Sequence, residues 1–236
     1  MSCMKTIAID GPAGSGKTTL GKRLADEFGY LFFDTGVMYR AITWLALQRG
    51  ISLQDETALM ELAWQADIDV LPPSQSDGRS SDVIIDGQDL TWEIRRAEVE
   101  ANVSVVSAYP GVRQALSTQQ RRIGLRGKVV MVGRDIGTIV LPEAELKIYL
   151  DASVEERARR RFNELRMRGE YADLEEILKA MRQRDQIDST REIAPLRPAP
   201  DAVILNSDKL DADQVVQYVK ALIENCENQE NAYSTE

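Results

Sequence analysis

Histidine is absent from all 236 residues. Any chemistry that relies on an imidazole as base, proton shuttle or metal ligand is therefore excluded. Cysteine is nearly absent: Cys3 and Cys226 stand near opposite ends without metal-ligand spacing, so neither a disulfide framework nor a zinc site is suggested. Aromatic residues make up 6% and are not interleaved with basic ones, and the net charge is −9. Both facts argue against a module that coats nucleic acid. No apolar run approaches the length of a membrane span, and the first residues lack the charged-then-apolar order of a signal peptide. The expectation is a cytoplasmic protein with neither nucleic-acid nor membrane partners.

What is present is enough to bury a core. With 43% hydrophobic residues the chain suits one domain with insertions, or two at most. Its cations are unevenly chosen. Arginine supplies 21 of the 29 basic residues, and 15 of those lie between Arg113 and Arg197. Arginine grips phosphates and carboxylates through two parallel hydrogen bonds, which lysine cannot do. Some of these arginines belong to solvated helix faces. An acidic chain with a local arginine field nevertheless points to a small anionic ligand.

The organising stretch is Gly11-Pro12-Ala13-Gly14-Ser15-Gly16-Lys17-Thr18, which satisfies G-x-x-x-x-G-K-[ST] at every fixed position. Lys5 to Asp10 before it is short, apolar and β-branched, as a buried strand should be. After it, Leu20, Leu24, Ala25 and Phe28 recur at helical spacing until Gly29. In a strand–loop–helix of this kind, backbone N–H groups surround a polyphosphate at the positive end of the helix. Lys17 adds a point charge at the β/γ-phosphates and Thr18 offers a hydroxyl to Mg²⁺. Residues 11–19 are the candidate nucleoside-triphosphate site.

Further along, Tyr30 to Phe33 reads as a strand, and Thr35 and Gly36 as turn and cap residues before a helix marked by Met38, Ile42, Leu45 and Ala46. Residues 52–64 are patterned as a helix. Ile68 to Leu71, Val83 to Ile85 and Asp89 to Thr91 read as a small meander of strands. Helical patterning returns from Ile94 to Val106, and Pro110 suits the start of the next helix. Lys128 to Val132 and Leu146 to Leu150 are buried-strand patterns, and Ser153-x-x-Glu156 is a capping box. Arg134 and Asp135 follow a strand directly, where ligands of open α/β sheets bind. Residues 174–189 and 212–223 are helical, Ala202 to Leu205 is a last strand, and a polar tail from Glu227 is expected to be disordered.

Ile9-Asp10-Gly-Pro-Ala-Gly-Ser-Gly-Lys-Thr-Thr19 followed by Asp34-Thr-Gly-x-x-Tyr-Arg40 resembles the bacterial cytidylate (CMP) kinases. Ser104, Tyr109-Pro-x-Val-Arg113, Gly133-Arg134-Asp135-Ile-Gly-Thr138, Asp151-Ala-Ser-x-Glu-Glu-Arg157 and Arg184-Asp-x-x-Asp188-x-x-Arg191 follow in the family's order across nearly the whole chain. The resemblance implies a three-layer α/β/α P-loop kinase fold with a central parallel sheet, a small β-containing insertion and a helical lid. It implies core segments at 1–34, 99–156 and 171–226, a monophosphate-binding region at 35–98 with its β insertion at about 67–92, a lid at 157–170 and a tail at 227–236. The implied reaction is transfer of the γ-phosphoryl of ATP, with Mg²⁺, to CMP or dCMP by a monomer.

By the same resemblance, Lys17, Arg134, Arg157 and Arg161 or Arg160 serve the transferring group, and Arg40, Arg134 and Arg191 hold the monophosphate. Thr35 and Tyr39 border it, Ser104, Arg113 and Asp135 read the base, and Arg184 with Asp188 meet the sugar. Thr35 stands where the family more often has serine, and the hydroxyl is kept. Two rival readings fare worse. A regulatory GTPase would need Asn-Lys-x-Asp, which Asn206-Ser-Asp-Lys209 does not supply. A sugar or shikimate-type kinase would need a base-like carboxylate for a neutral hydroxyl and would have less use for so many arginines.

Overall fold

The computed structural model describes the backbone of residues 5–233 and the side chains of residues 5–224. Five parallel strands form its centre: β1 (Thr6–Asp10), β2 (Leu31–Asp34), β6 (Val129–Gly133), β7 (Leu146–Asp151) and β8 (Val203–Asn206), in the order β2-β6-β1-β7-β8. The inner strands are buried on both faces, which is why they read as unbroken apolar runs and not as alternation. Alternate residues nonetheless feed two separate cores. Ile7, Ile9, Val130 and Val132 pack under α1 (Lys17–Phe28) and α8 (Ala212–Tyr233). Ala8, Phe33, Val129 and Met131 pack under α2 (Gly36–Gln48), α3 (Glu56–Gln65) and α5 (Pro110–Gly124). This is the expected three-layer α/β/α arrangement.

Between α3 and α4 (Ala97–Val106) lies an antiparallel sheet of β3 (Ile68–Leu71), β4 (Asp82–Ile85) and β5 (Gln88–Asp89). Its inward residues Ile68, Val70, Val83 and Ile85 join the second core, so the insertion is welded to α2 and α3. A 3₁₀ turn over Glu93–Arg95 precedes α4, and Pro110 takes the first turn of α5. The pair α6 (Val154–Met167) and α7 (Leu174–Thr190) closes the chain over the phosphate loop.

Several local expectations change. Thr35 does not cap α2 with its side chain; its hydroxyl donates to the Val132 carbonyl at 3.0 Å and ties α2 to β6. The capping box at 153–156 is half formed. The Ser153 hydroxyl accepts from the Glu156 N–H, while the Ser153 N–H donates to Asp208 and the Glu156 carboxylate turns to Arg159 and Arg160. The helix expected over 52–64 starts later, at Glu56, because Asp55 caps it. The disordered tail expected from Glu227 overlaps α8, whose backbone stays helical to Tyr233; the segment holds no Pro or Gly to stop it. Residues 234–236 of that tail, and Cys3, lie outside the described residues. Among the described residues no helix is long and apolar enough to cross a membrane.

Candidate active site

The site begins with the way β1 hands the chain to α1. Gly11 lies so close to β7 that a Cβ would meet the Leu150 carbonyl oxygen at 2.0 Å, and Gly16 starts α1 from the left-handed region with φ 99°. The loop between them leads into a buried Lys17, which lies on its own loop: Nζ donates to the Pro12 carbonyl at 2.6 Å and to Ser15 Oγ at 3.4 Å. Burial, and next the charge of Arg134, push this lysine's pKa well below its usual value. A cation held so poorly solvated is suited to an incoming anion.

A cavity of about 460 Å³ opens beside Lys17, bounded by the phosphate loop, α2, α4, the segment after β6, and α6 and α7. Thr18, Thr35, Tyr39, Arg40, Ser104, Arg113, Arg134, Asp135, Arg161, Arg184, Asp188 and Arg191 all line it. The chain thus brings together residues separated by as many as 178 positions, from Ala13 to Arg191.

Its walls are ion pairs. Arg113 donates to Asp135 Oδ1 at 2.9 Å with both side chains buried, and its guanidinium lies 5.4 Å from the ring centre of Tyr39. Burial pushes the Tyr39 phenol up to about 12, so it stays protonated. Asp135 Oδ2 and Arg113 Nε are buried with no hydrogen-bond partner. Orphaned polar atoms at a cavity wall are acceptors and donors prepared for a ligand. Arg134 Nε donates to Asp188 Oδ2 at 2.9 Å, and Arg191 pairs with Asp188 Oδ1 at 2.9 Å. Burial works against the Asp188 carboxylate, but Arg134 and Arg191 outweigh it and hold the group below the usual range. Arg40 pairs with Glu100, which lowers the Glu100 carboxyl. Arg184 makes no hydrogen bond or ion pair among the described residues and lines the cavity; burial, and next the charge of Arg134, lower its pKa against the pull of Asp188 and Glu100.

Two predicted arginines stand elsewhere. Arg157 is buried behind the phosphate loop, where its Nη1 donates to the Ala13 carbonyl at 3.1 Å and its two terminal nitrogens clasp Asp185 at 3.0 and 2.6 Å. Arg160 reaches the Ser207 carbonyl at 2.6 Å and, more loosely, the Ser15 carbonyl at 3.4 Å. Of the three candidates on α6 only Arg161 lines the cavity, paired with Glu164 at 2.9 Å. Sequence reasoning missed Asp34, Glu100 and Asp185. Asp34 and Asp185 sit inside motifs already singled out, but Asp185, like Glu100, takes its meaning only from the arginine that folding brings to it.

The family model for cytidylate kinase matches residues 7–225. The cytidylate kinase of Herpetosiphon aurantiacus is 50% identical over 223 residues, covering 94% of this chain and 96% of the relative. That of Roseiflexus castenholzii is 51% identical over 234 residues, covering 98% of this chain and 99% of the relative. That of Chloroflexus aggregans is 52% identical over 219 residues, covering 93% and 94%.

Proposed function

The chain belongs to the cytidylate kinase family and transfers the γ-phosphoryl group of ATP to CMP or dCMP, and from that premise we propose how its own residues divide the work. The observation that carries the proposal is the buried, unpartnered Asp135 Oδ2 beside Arg113 at the cavity wall. Cytosine has an amino donor at C4, which a carboxylate accepts; uracil has an oxygen there, which would face Asp135 unpaired and repelled. Arg113, with Ser104, supplies donors for the remaining acceptors on the base edge.

The 5′-phosphate of the acceptor has its second pKa near 6, so its attacking oxygen is already anionic at neutral pH. No general base is required, and a chain without histidine loses nothing. What must be overcome is the repulsion between two anions, which is a matter of positioned positive charge. Arg40, Arg134 and Arg191 receive the monophosphate, Arg184 and Asp188 the sugar side, and Thr35 and Tyr39 shape the wall. Residues 11–19 hold ATP, with Lys17 leaving the Pro12 carbonyl for the β/γ-phosphates. Arg161 meets the transferring group from the cavity side, while Arg157 and Arg160 brace the loop from behind until the lid moves.

The family's use of ATP with Mg²⁺ suits the donor set. Among the described residues no cluster of three or more acidic or cysteine side chains could hold a metal by itself. That suits an ion which keeps its waters and arrives with substrate phosphates. The Thr18 hydroxyl borders the cavity, and Asp34 uses one oxygen on the Gly36 N–H at 3.0 Å. When bound, the ion would be held through the Thr18 hydroxyl and would supply positive charge to the phosphates. On this reading residues 35–98 and 157–170 are the monophosphate-binding and lid regions, and core segments 1–34, 99–156 and 171–226 form the frame of a monomer.

Coupled ADP release with CMP, dCMP and UMP, run on wild type and Asp135→Asn, tests the reading. The asparagine can turn its amide to give uracil a donor. CMP should lose about tenfold to a hundredfold in kcat/KM, the worth of one charged hydrogen bond, and UMP far less. A parallel fall for both substrates would remove Asp135 from base reading.

A further inference from the structure

Asp10 is buried at the last position of β1, one residue before the phosphate loop, and plays no part in the reaction as derived above. Its two oxygens are both in use. Oδ1 accepts from the Ile136 N–H and Oδ2 from the Gly137 N–H, each at 2.8 Å. Those N–H groups open the short π-helical turn Ile136–Val140 and, like all first-turn donors, have no acceptor within it. Gly137 permits the close approach: a Cβ there would lie 3.2 Å from the Lys147 side chain and 3.4 Å from Asp10 Oδ2. The turn so held begins immediately after Arg134 and Asp135.

We propose that Asp10 is a positioning residue for nucleobase choice: its carboxylate fixes the turn after Asp135 and thereby the direction of the free Asp135 oxygen. The proposal rests on the reading that Asp135 meets the cytosine amino group. It also links the two halves of the site, since the residue that opens the ATP loop sets the geometry of the wall that reads CMP.

Charge matters to the clamp, because two N–H donors need two acceptor oxygens. An asparagine at 10, or a protonated aspartic acid, keeps one acceptor and turns a donor toward the other N–H. Burial, against the pull of the two N–H groups, raises the Asp10 pKa to about 6. The groups around it are Lys17 from α1, Asp135 from the turn itself, and Tyr149 and Lys147 from β7, with Arg134 and Asp34 acting on Lys17.

The test is the ratio of kcat/KM for CMP to that for UMP, measured on wild type, Asp10→Asn and Asp135→Asn. The ratio cancels the concentration of folded enzyme and the 5′-phosphate ionisation that both substrates share, so a merely structural role does not move it. The expected result is a fall of about tenfold in both variants, the loss of one charged hydrogen bond. If Asp135→Asn lowers the ratio and Asp10→Asn leaves it unchanged, the inference is overturned and the base reading stands. If Asp135→Asn does not lower it, the base reading fails and this route fails with it. Should Asp10→Asn not fold, the wild-type ratio between pH 8 and pH 5.5 decides. A decline through about pH 6 supports the clamp, and a constant ratio overturns it.

Discussion

Lys17 is the clearest case of a side chain placed against its own comfort. It is buried, its neighbours on the loop are neutral oxygens, and burial together with Arg134 lowers its pKa well below that of a free lysine. The sign for stability follows. A lysine whose pKa is lower folded than unfolded binds protons more readily unfolded, so its charge costs the folded state stability at neutral pH. Lys17→Met should therefore reduce kcat by orders of magnitude while leaving Tm unchanged or raised, as turnover assays and thermal denaturation of one preparation will reveal. A lowered Tm would mean the ammonium serves the fold through its bond to Pro12. The sequence motif identifies this lysine from its flanks alone. The sequence names Asp188 but not its place between Arg134 and Arg191, which depends on how α7 lies against the end of β6. Nor does it show that Asp135 and Arg134, adjacent in the chain, turn to different partners.

Elements were legible wherever local pattern and burial agreed. The apolar runs of β1, β6 and β7, the glycines flanking α1 and the proline opening α5 each carry their structure in a few residues. The insertion was legible as a small meander of strands, and by resemblance as a unit, but the cluster that organises it has no periodicity and was not legible. Arg79, nearly buried, meets Asp77, Asp82 and Asp89 at 2.6 to 2.8 Å, and the Trp92 indole N–H donates to Asp77. All three carboxyls are held below the usual range: for Asp77 the hydrogen bond from Arg79 is the leading cause, for Asp82 burial is offset by the hydrogen bonds of Ser74 and Arg79 together, and for Asp89 by those of Arg79 and Thr91 together. Depressed carboxyls add stability that is present at neutral pH and lost as pH falls through the acid range. Arg79→Met should raise hydrogen exchange over residues 68–91 and shift Trp92 emission, with protection of β1 and β6 unaltered. Uniform loss across the chain would mean the insertion is not a separable unit. The proposed lid is the opposite case. Its arginines were legible, but their partners, Asp185 behind the loop and Glu164 in the cavity, were not. If α6 and α7 rearrange so that these cations reach phosphates, exchange over 161–173 should slow severalfold with a bisubstrate analogue. Equal rates with and without it would leave this segment as a fixed wall.

At the scale of the molecule two charges of opposite sign compete for the substrates. The chain carries −9, yet seven cationic side chains line the cavity against five carboxylates, a local balance of +2. ATP and CMP are anions, repelled by the whole and attracted by the part. Distance decides which effect salt removes. The Debye length is about 30 Å at 0.01 M and about 8 Å at 0.15 M, so added salt first screens the far field. Contacts of about 3 Å inside a partly closed cavity are screened much less. Raising potassium chloride from about 0.01 to 0.15 M at constant MgATP should therefore leave kcat/KM for CMP level within about twofold, or raise it. A protein that drew its substrate by long-range positive potential would lose an order of magnitude over the same interval. A steep decline here would mean that the arginines act collectively at a distance, and the net negative surface would then have to be shielded from the cavity mouth. A level response assigns them to contact, where Arg184, which makes no hydrogen bond or ion pair among the described residues, has the most to gain. The same experiment on Arg184→Ala should then show a raised KM for CMP with an unchanged salt response, because a single short-range partner has been removed and the field around it has not.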